Sequence, residues 1–225
     1  MADSEAPAAK KGLDSRRMNG RLRRLAASAG VLGPAAFVAG WLTAGAIRPR
    51  YSAVQEQISQ LARIGAPHRF LMTGAFICFG VTMPVFAPVL DDFLGTRKAL
   101  TSSVSLAGLA TLGVAAVPLS LSGGGTEDVV HGTFATLGYI GMALSPLIGA
   151  VAFYRRRRIA AAAVSGLTGV VSAAALASTP FVSSNFGLLQ RLGLGVVHAW
   201  LVVMAILILD AGDRVKLENL RPATD

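Results

Sequence analysis

The sequence predicts an all-α membrane protein: a six-transmembrane-helix bundle with an extracytoplasmic amphipathic helix between spans 1 and 2. The composition supports this class, because 53% of the 225 residues are hydrophobic, 15% are charged and the mean hydropathy is +0.57, values outside the usual soluble range. Six apolar windows also reach about 20 residues, the length that crosses roughly 30 Å of hydrocarbon. The windows are residues 26–47, 70–90, 99–121, 130–153, 159–181 and 191–209. With such short connectors, the function must lie in the bundle or its loops.

The N-terminal residues 1–25 read as a disordered basic cytoplasmic tail, since "MADSEAPAAKKGLDS" is small, polar and charged. A secretory signal peptide is the competing interpretation. The apolar run that follows has about 22 residues, longer than the 7–15 of a signal peptide, so it is assigned as the first span. Residues 26–210 then form the transmembrane domain, and residues 211–225 form a C-terminal cytoplasmic tail.

The basic residues are distributed unequally between the two sides of the predicted bundle. All but five of the 21 lysines and arginines lie on the side of the termini, and such an excess marks the cytoplasmic side. The five exceptions are Arg48, Arg50, Arg63, Arg69 and Arg191. Both termini are therefore expected in the cytoplasm, and residues 48–69 outside it. The charge of +9 does not indicate nucleic-acid binding, because the basic residues are not interleaved with aromatic residues on one face.

The spans are rich in glycine, alanine and serine, which let helices approach closely in lipid, so a compact bundle is expected. Five prolines fall within the predicted spans and are expected to kink them. They are Pro34, Pro84, Pro88, Pro118 and Pro146. The single cysteine, Cys78, lies inside a span, which excludes an internal disulfide and argues against a cysteine zinc site.

The polar stretch between the first two spans has a helical pattern. Apolar residues recur at spacings of 3, 4 and 3, at Tyr51, Val54, Ile58 and Leu61. This period predicts an amphipathic helix over residues 51–64, which ends at Gly65 and Pro67. Two interpretations remain open. The helix either lies in the outer interface and ties the two spans together, or forms a lid over an outward-facing pocket.

The same stretch, "YSAVQEQISQLARIGAPHRFLMTGAF", resembles the Tyr…Ile-Ser-x-Leu…Gly-Ala-Pro signature of the DUF998 family of bacterial multi-pass membrane proteins. The segments "HGTFATLGYIGMALSPL" and "GLLQRLGLGVVHAWL" are similar in placement to that family's pattern, so the resemblance covers about residues 26–210. Gln190 stands where the family pattern has an acidic residue, so a Glu–Arg pairing is not carried over. The resemblance implies a six-span fold in the bacterial inner membrane, and no agreed activity.

Three histidines project from the outer ends or outer halves of spans two, four and six, at His68, His131 and His198. His198 lies about 12 Å into the membrane, counted from Gln190 at roughly 1.5 Å per residue. At that depth it needs a polar partner, and Glu56, Glu127 or His131 is expected to supply one. Arg191 precedes His198 on nearly the same helix face.

Two carboxylates, Glu127 and Asp128, lie four and three residues before His131 and share its face if the helix already begins there. Histidines with carboxylates bind zinc or perform acid–base chemistry. No HExxH or paired-histidine spacing occurs, so neither a metal nor a cofactor is predicted. Asp128 also suits an N-cap and dipole partner of its helix.

Two classes of function follow. The favoured one is a binding or accessory protein with an outward-facing polar cavity for a lipid headgroup, a lipid-linked molecule or a membrane partner; its expected partners are membrane lipids, not nucleic acid. Its cavity would be lined by Tyr51, Glu56, His131, Arg191 and His198, with His68, Glu127 and Asp128 as further ligand-binding candidates. The alternative is an enzyme acting on lipid at the outer leaflet through histidine and carboxylate, with or without zinc. A transporter is less favoured, because no acidic residue lies well inside a span.

Overall fold

Six long helices make up most of the chain in the computed structural model, which describes residues 20–219. They are α1 (Gly20–Ile47), α2 (Arg69–Leu94), α3 (Ala99–Ala116), α4 (Thr126–Arg155), α5 (Ile159–Ser178) and α6 (Phe186–Asn219). Each is long and apolar enough to cross a membrane, and no strand occurs in residues 20–219. The predicted all-α fold with six spans is confirmed.

The helices form a closed ring in chain order. Each helix packs on the next, and α1 packs on α6 to close the ring. The even-numbered helices also touch one another, so α2, α4 and α6 face the centre of the bundle. Their buried side chains include Phe79, Phe86 and Leu201.

Glycines allow the close approach that the composition predicted. A Cβ atom on Gly141 of α4 would lie 2.6 Å from the carbonyl oxygen of Ser103 in α3. A Cβ atom on Gly108 of α3 would lie 3.0 Å from the carbonyl oxygen of Gly80 in α2. Because these neighbours are backbone atoms, the helices pack at distances that only glycine permits.

Two helices extend beyond the predicted spans. Residues 20–25 belong to α1 rather than to a tail, and α6 continues to Asn219 instead of ending near residue 210. Arg24 and Asp213 form an ion pair between these two extensions, which gives the charged ends of both helices a partner. The remaining predicted tails, residues 1–19 and 220–225, lie outside the described residues.

The third span is shorter than predicted. Helix α3 ends at Ala116 instead of residue 121, so Pro118 lies in the α3–α4 connection rather than inside a span. Proline disfavours helical geometry at the residue before it and lacks an N–H group, which explains the early end.

The predicted amphipathic helix over residues 51–64 is also corrected. Residues 48–68 are here called the cap segment. Only Ile58–Leu61 forms a 3₁₀ helix, and the rest of the cap segment consists of turns and irregular backbone. Of the apolar residues that suggested the helix, Ile58 and Leu61 are buried, whereas Val54 is 46% exposed.

Backbone groups of the cap segment form hydrogen bonds to other parts of the bundle. The Val54 carbonyl accepts from the N–H of Leu188 at 2.9 Å, and the Ile64 N–H donates to the Leu119 carbonyl at 3.0 Å. A helix would have used these groups internally. The tertiary bonds therefore replace the helix, and the cap segment lies across the end of the bundle.

Candidate functional site

A cavity of about 430 Å³ lies at the end of the bundle that carries the cap segment. All three connections at this end contribute to its wall, together with the first half of α4. We call it the loop-end cavity. Its polar side chains include Gln57, Gln60, Arg63, Asp128, His131 and Tyr139, and its apolar ones include Leu119, Ala135, Pro180 and Phe186.

His131 is a buried residue in the wall of this cavity, with 3% of its surface exposed. Its Nδ1 atom lies 2.6 Å from the carbonyl oxygen of Val117. Because a carbonyl only accepts, Nδ1 carries the hydrogen, and Nε2 of the neutral ring is an acceptor. Within residues 20–219 this buried Nε2 atom has no hydrogen-bond partner.

Asp128 stabilises the α3–α4 connection. Its carboxylate accepts hydrogen bonds from the Ser120 N–H at 2.7 Å, the Ser120 hydroxyl at 2.9 Å and the Gly124 N–H at 2.6 Å. The residue lies in the first turn of α4, where a negative charge favours the helix dipole, but the N-cap is Gly125. The carboxylate is therefore largely occupied by local structure.

Glu127 does not join this site, because its side chain is exposed. In the described part of the chain, no three side chains of His, Cys, Asp or Glu form a group that could hold a metal ion.

Gln190 links the cap segment to α4. It is 2% exposed, and its Oε1 atom accepts the Ile58 N–H at 2.7 Å. This bond fixes the amide orientation, so Nε2 donates to the hydroxyl oxygen of Tyr139. The hydroxyl proton of Tyr139 is then free for another acceptor, and Tyr139 lines the loop-end cavity.

Sequence reasoning noted Gln190 only as a departure from a family pattern, and it missed Tyr139, Gln57, Gln60 and Arg63 as cavity residues. One signal existed for Gln190: it directly precedes a predicted span, and an amide that is buried there needs hydrogen-bond partners.

Arg191 holds the cap segment on α6. Its Nη1 atom donates to the carbonyl oxygens of Glu56 at 3.0 Å and Gly187 at 2.9 Å, and its Nη2 atom donates to the Tyr51 hydroxyl. The guanidinium also lies 4.8 Å from the centre of the Trp41 ring, a distance that allows a cation–π contact. We call this group the arginine cluster; it consists of Arg191, Tyr51, Glu56, Trp41 and Gly187.

Tyr51 belongs to the arginine cluster rather than to the loop-end cavity. Burial raises the pKa of the Tyr51 hydroxyl, and the nearby Arg191 charge partly opposes that rise. The hydroxyl is thus protonated at neutral pH, and its proton points to the carbonyl oxygens of Glu56 and Gln57, at 3.4 and 3.3 Å.

The Glu56 carboxylate stays within the cap segment. Its Oε1 atom accepts the Ser52 N–H at 3.0 Å, and its Oε2 atom lies 3.7 Å from Arg48. Of the predicted cavity wall, Tyr51, Glu56 and Arg191 do not line the loop-end cavity. These side chains hold the segment that closes the bundle instead.

His198 is buried in the interior of the bundle, without the expected polar partner. Its ring packs between Phe37 and Phe79, with ring centres 4.7 and 5.1 Å away. It lines a separate cavity of about 40 Å³, which shares Tyr139 with the loop-end cavity. The Nε2 atom has no hydrogen-bond partner among the described residues. The expected partners are absent because Glu56 and His131 bond elsewhere and Glu127 is exposed.

His68 is exposed and precedes α2 as its N-cap, with a left-handed φ of 53°. It lines neither cavity. The three histidines thus occupy three different environments, and of the eight candidates only Asp128 and His131 line the loop-end cavity.

Comparison with known proteins gives one match. No curated protein matches the chain, and no solved structure matches it. The family described as "Protein of unknown function (DUF998)" matches residues 31–207, a range that includes helices α2 to α5 in full and most of α1 and α6. This range covers far more than half of the chain and every residue that lines the loop-end cavity. The chain therefore belongs to the DUF998 family and is a multi-pass membrane protein of that family.

Proposed function

We propose that this protein is a binding or accessory protein that holds the polar headgroup of a membrane lipid or lipid-linked molecule in the loop-end cavity. The observation that carries the proposal is the unpaired Nε2 atom of buried His131 in the cavity wall. A buried acceptor without a partner costs about 1–3 kcal/mol, and a bound donor removes that cost. Pockets for small ligands combine an apolar lining with a few polar groups and have volumes of about 300–1,000 Å³.

The proposal places the cavity on the outer side of the bacterial inner membrane, with both termini in the cytoplasm. The distribution of lysine and arginine supports this orientation. Two exposed positions test it: Gln55 in the cap segment and Arg157 in the α4–α5 connection. In a Cys78→Ala background, we expect a membrane-impermeant maleimide to label Gln55→Cys but not Arg157→Cys in intact cells. Both should react after permeabilisation, and the reverse pattern in intact cells would contradict the orientation.

Filling the cavity tests the binding function. Gly132 lines the loop-end cavity, and a Cβ atom there would meet nothing within 4 Å. Gly132→Leu therefore adds a side chain to cavity space without disturbing the helix packing. We expect the purified variant to retain no more than about one tenth of the lipid that the native protein retains, measured by native mass spectrometry. This corresponds to a loss of about 1.4 kcal/mol of binding free energy.

Gly74→Leu is the matched control, because Gly74 is exposed on α2 and its Cβ would also meet nothing within 4 Å. This control should retain lipid as the native protein does. Equal lipid retention by the two variants would refute binding in the loop-end cavity.

A lipid-processing enzyme is the second candidate, and the orientation of His131 favours it. With Nδ1 held by the Val117 carbonyl, Nε2 is positioned as an acceptor that is able to serve as a general base. Incubation of the protein with outer-leaflet lipids, followed by mass spectrometry of the products, separates the two functions. Turnover of a lipid that disappears in His131→Asn would show that the protein is an enzyme. Lipid binding without turnover would support the function as an accessory protein.

A further inference from the structure

We propose that the loop-end cavity selects a phosphorylated polyol or sugar, that is, a headgroup with several hydroxyl groups and one phosphate. This inference rests on the binding function proposed above and names the chemical class of its ligand. The donors and acceptors of the cavity wall define this class.

The two ends of the cavity wall on α4 require opposite partners. His131 offers only an acceptor, at Nε2, because its Nδ1 hydrogen is taken by Val117. Tyr139 offers a donor, because its oxygen accepts the amide of Gln190. Eight residues of helix separate them, about 12 Å at roughly 1.5 Å per residue. One hydroxyl group cannot contact both, but a chain or ring of hydroxyl groups can, since each hydroxyl both donates and accepts.

The side chains between these two ends also suit hydroxyl groups. Gln57 and Gln60 of the cap segment line the cavity, and each carboxamide donates and accepts. Thr136 donates its own proton to the Gly132 carbonyl at 2.9 Å, so its oxygen remains an acceptor. Leu119 and Phe186 provide apolar surface for the C–H groups of a polyol or sugar.

The charge of the cavity favours a phosphate over an ammonium group. Arg63 of the cap segment lines the cavity, and its buried Nε atom has no hydrogen-bond partner in the described part of the chain. The Asp128 carboxylate, by contrast, already accepts three hydrogen bonds. A cationic headgroup would face the arginine without a free carboxylate, whereas a phosphate accepts hydrogen bonds from the guanidinium.

Binding of defined lipids tests the class. The protein in detergent is titrated with phosphatidylinositol, phosphatidylglycerol, phosphatidic acid and phosphatidylethanolamine, and binding is followed by native mass spectrometry. We expect the two hydroxyl-bearing lipids to bind at least about tenfold more tightly than phosphatidic acid, which has the phosphate without the hydroxyl groups. Glycerol 3-phosphate and inositol phosphate, tested alone, identify the source: tight binding of these soluble probes indicates a free ligand, and binding of the lipids alone indicates a membrane ligand.

Variants of His131 separate hydroxyl recognition from folding. His131→Asn keeps an amide nitrogen near the position of Nδ1, and so keeps the bond to Val117, but it lacks the Nε2 acceptor. This variant should lose the tenfold preference and bind phosphatidic acid as before, while His131→Gln, which places an amide near Nε2, should recover part of the preference. Arg63→Gln should weaken all four phosphate lipids together, and Arg50→Gln, an exposed arginine of the same segment, should weaken none.

Two negative results have different meanings. Equal binding of phosphatidylglycerol and phosphatidic acid that Gly132→Leu still blocks would overturn the hydroxyl class and leave the binding function standing. Lipid binding that Gly132→Leu does not affect would overturn the proposed function itself.

Discussion

Arg191→Ala releases the cap segment from α6 and lowers the free energy of unfolding by about 3–5 kcal/mol. The guanidinium donates to two backbone carbonyls and to the Tyr51 hydroxyl and lies over the Trp41 ring. Hydrogen bonds to a charged group contribute about 1.5–3 kcal/mol each, and a cation–π contact contributes about 0.5–2 kcal/mol, although such contributions do not add fully. The midpoint of thermal unfolding should fall by about 10 °C or more.

Two further arginine variants make this measurement specific. Arg50→Ala removes an exposed arginine from the same segment and should leave the midpoint unchanged. Arg191→Lys keeps the charge but not the planar fork that contacts several acceptors, so its midpoint should lie between those of the native protein and the alanine variant. If Arg191→Ala and Arg50→Ala unfold at the same temperature, the arginine cluster does not hold the cap segment.

Gly187→Ala displaces the cap segment by a steric route. A Cβ atom at this position would lie 2.3 Å from the carbonyl oxygen of Glu56 and 2.6 Å from that of Ala53. Both atoms are backbone, so no side-chain rotation relieves the overlap and the segment must move away from α6. Overpacking of this kind costs about 1–3 kcal/mol, and the movement also disturbs the Glu56 contact of Arg191.

Gly195→Ala on the same helix provides the opposite result. A Cβ atom there would meet nothing within 4 Å, and alanine is more favourable than glycine in a helix by about 0.5–1 kcal/mol. Thermal unfolding should therefore give a lower midpoint for Gly187→Ala and an equal or higher one for Gly195→Ala. Equal midpoints for the two variants would show that the cap segment does not contact α6 closely.

The transmembrane helices were predictable because each depends on its own apolar length, whereas the cap segment was not. The spacing of Tyr51, Ile58 and Leu61 predicted an α-helix. Ile58 and Leu61 are indeed buried, but the backbone that carries them is mostly irregular. The backbone between them bonds to residues of α6 more than 120 positions away, which no local period can reveal.

The candidate site was predicted in part for a similar reason. His131 and Asp128 lie on a helix whose start the sequence indicates, so their position in the first turns of α4 could be predicted. The contribution of Gln57, Gln60 and Arg63 depends on the path of the irregular cap segment. The apolar surroundings of His198 depend on Phe37 and Phe79, which come from two other helices.

The position of the cap segment's partners along the chain has a consequence for biogenesis. The segment follows the first span, but its Ile58 N–H, Tyr51 hydroxyl and Glu56 carbonyl bond to Gln190 and Arg191 of the last span. During synthesis these groups must stay hydrated at the membrane surface until the sixth span inserts. A chain arrested before α6 would leave the ring open between α5 and α1 and the cap segment without its anchor. The loop-end cavity is therefore complete only after the sixth span has inserted, because the last span supplies the groups that hold the cap segment in place.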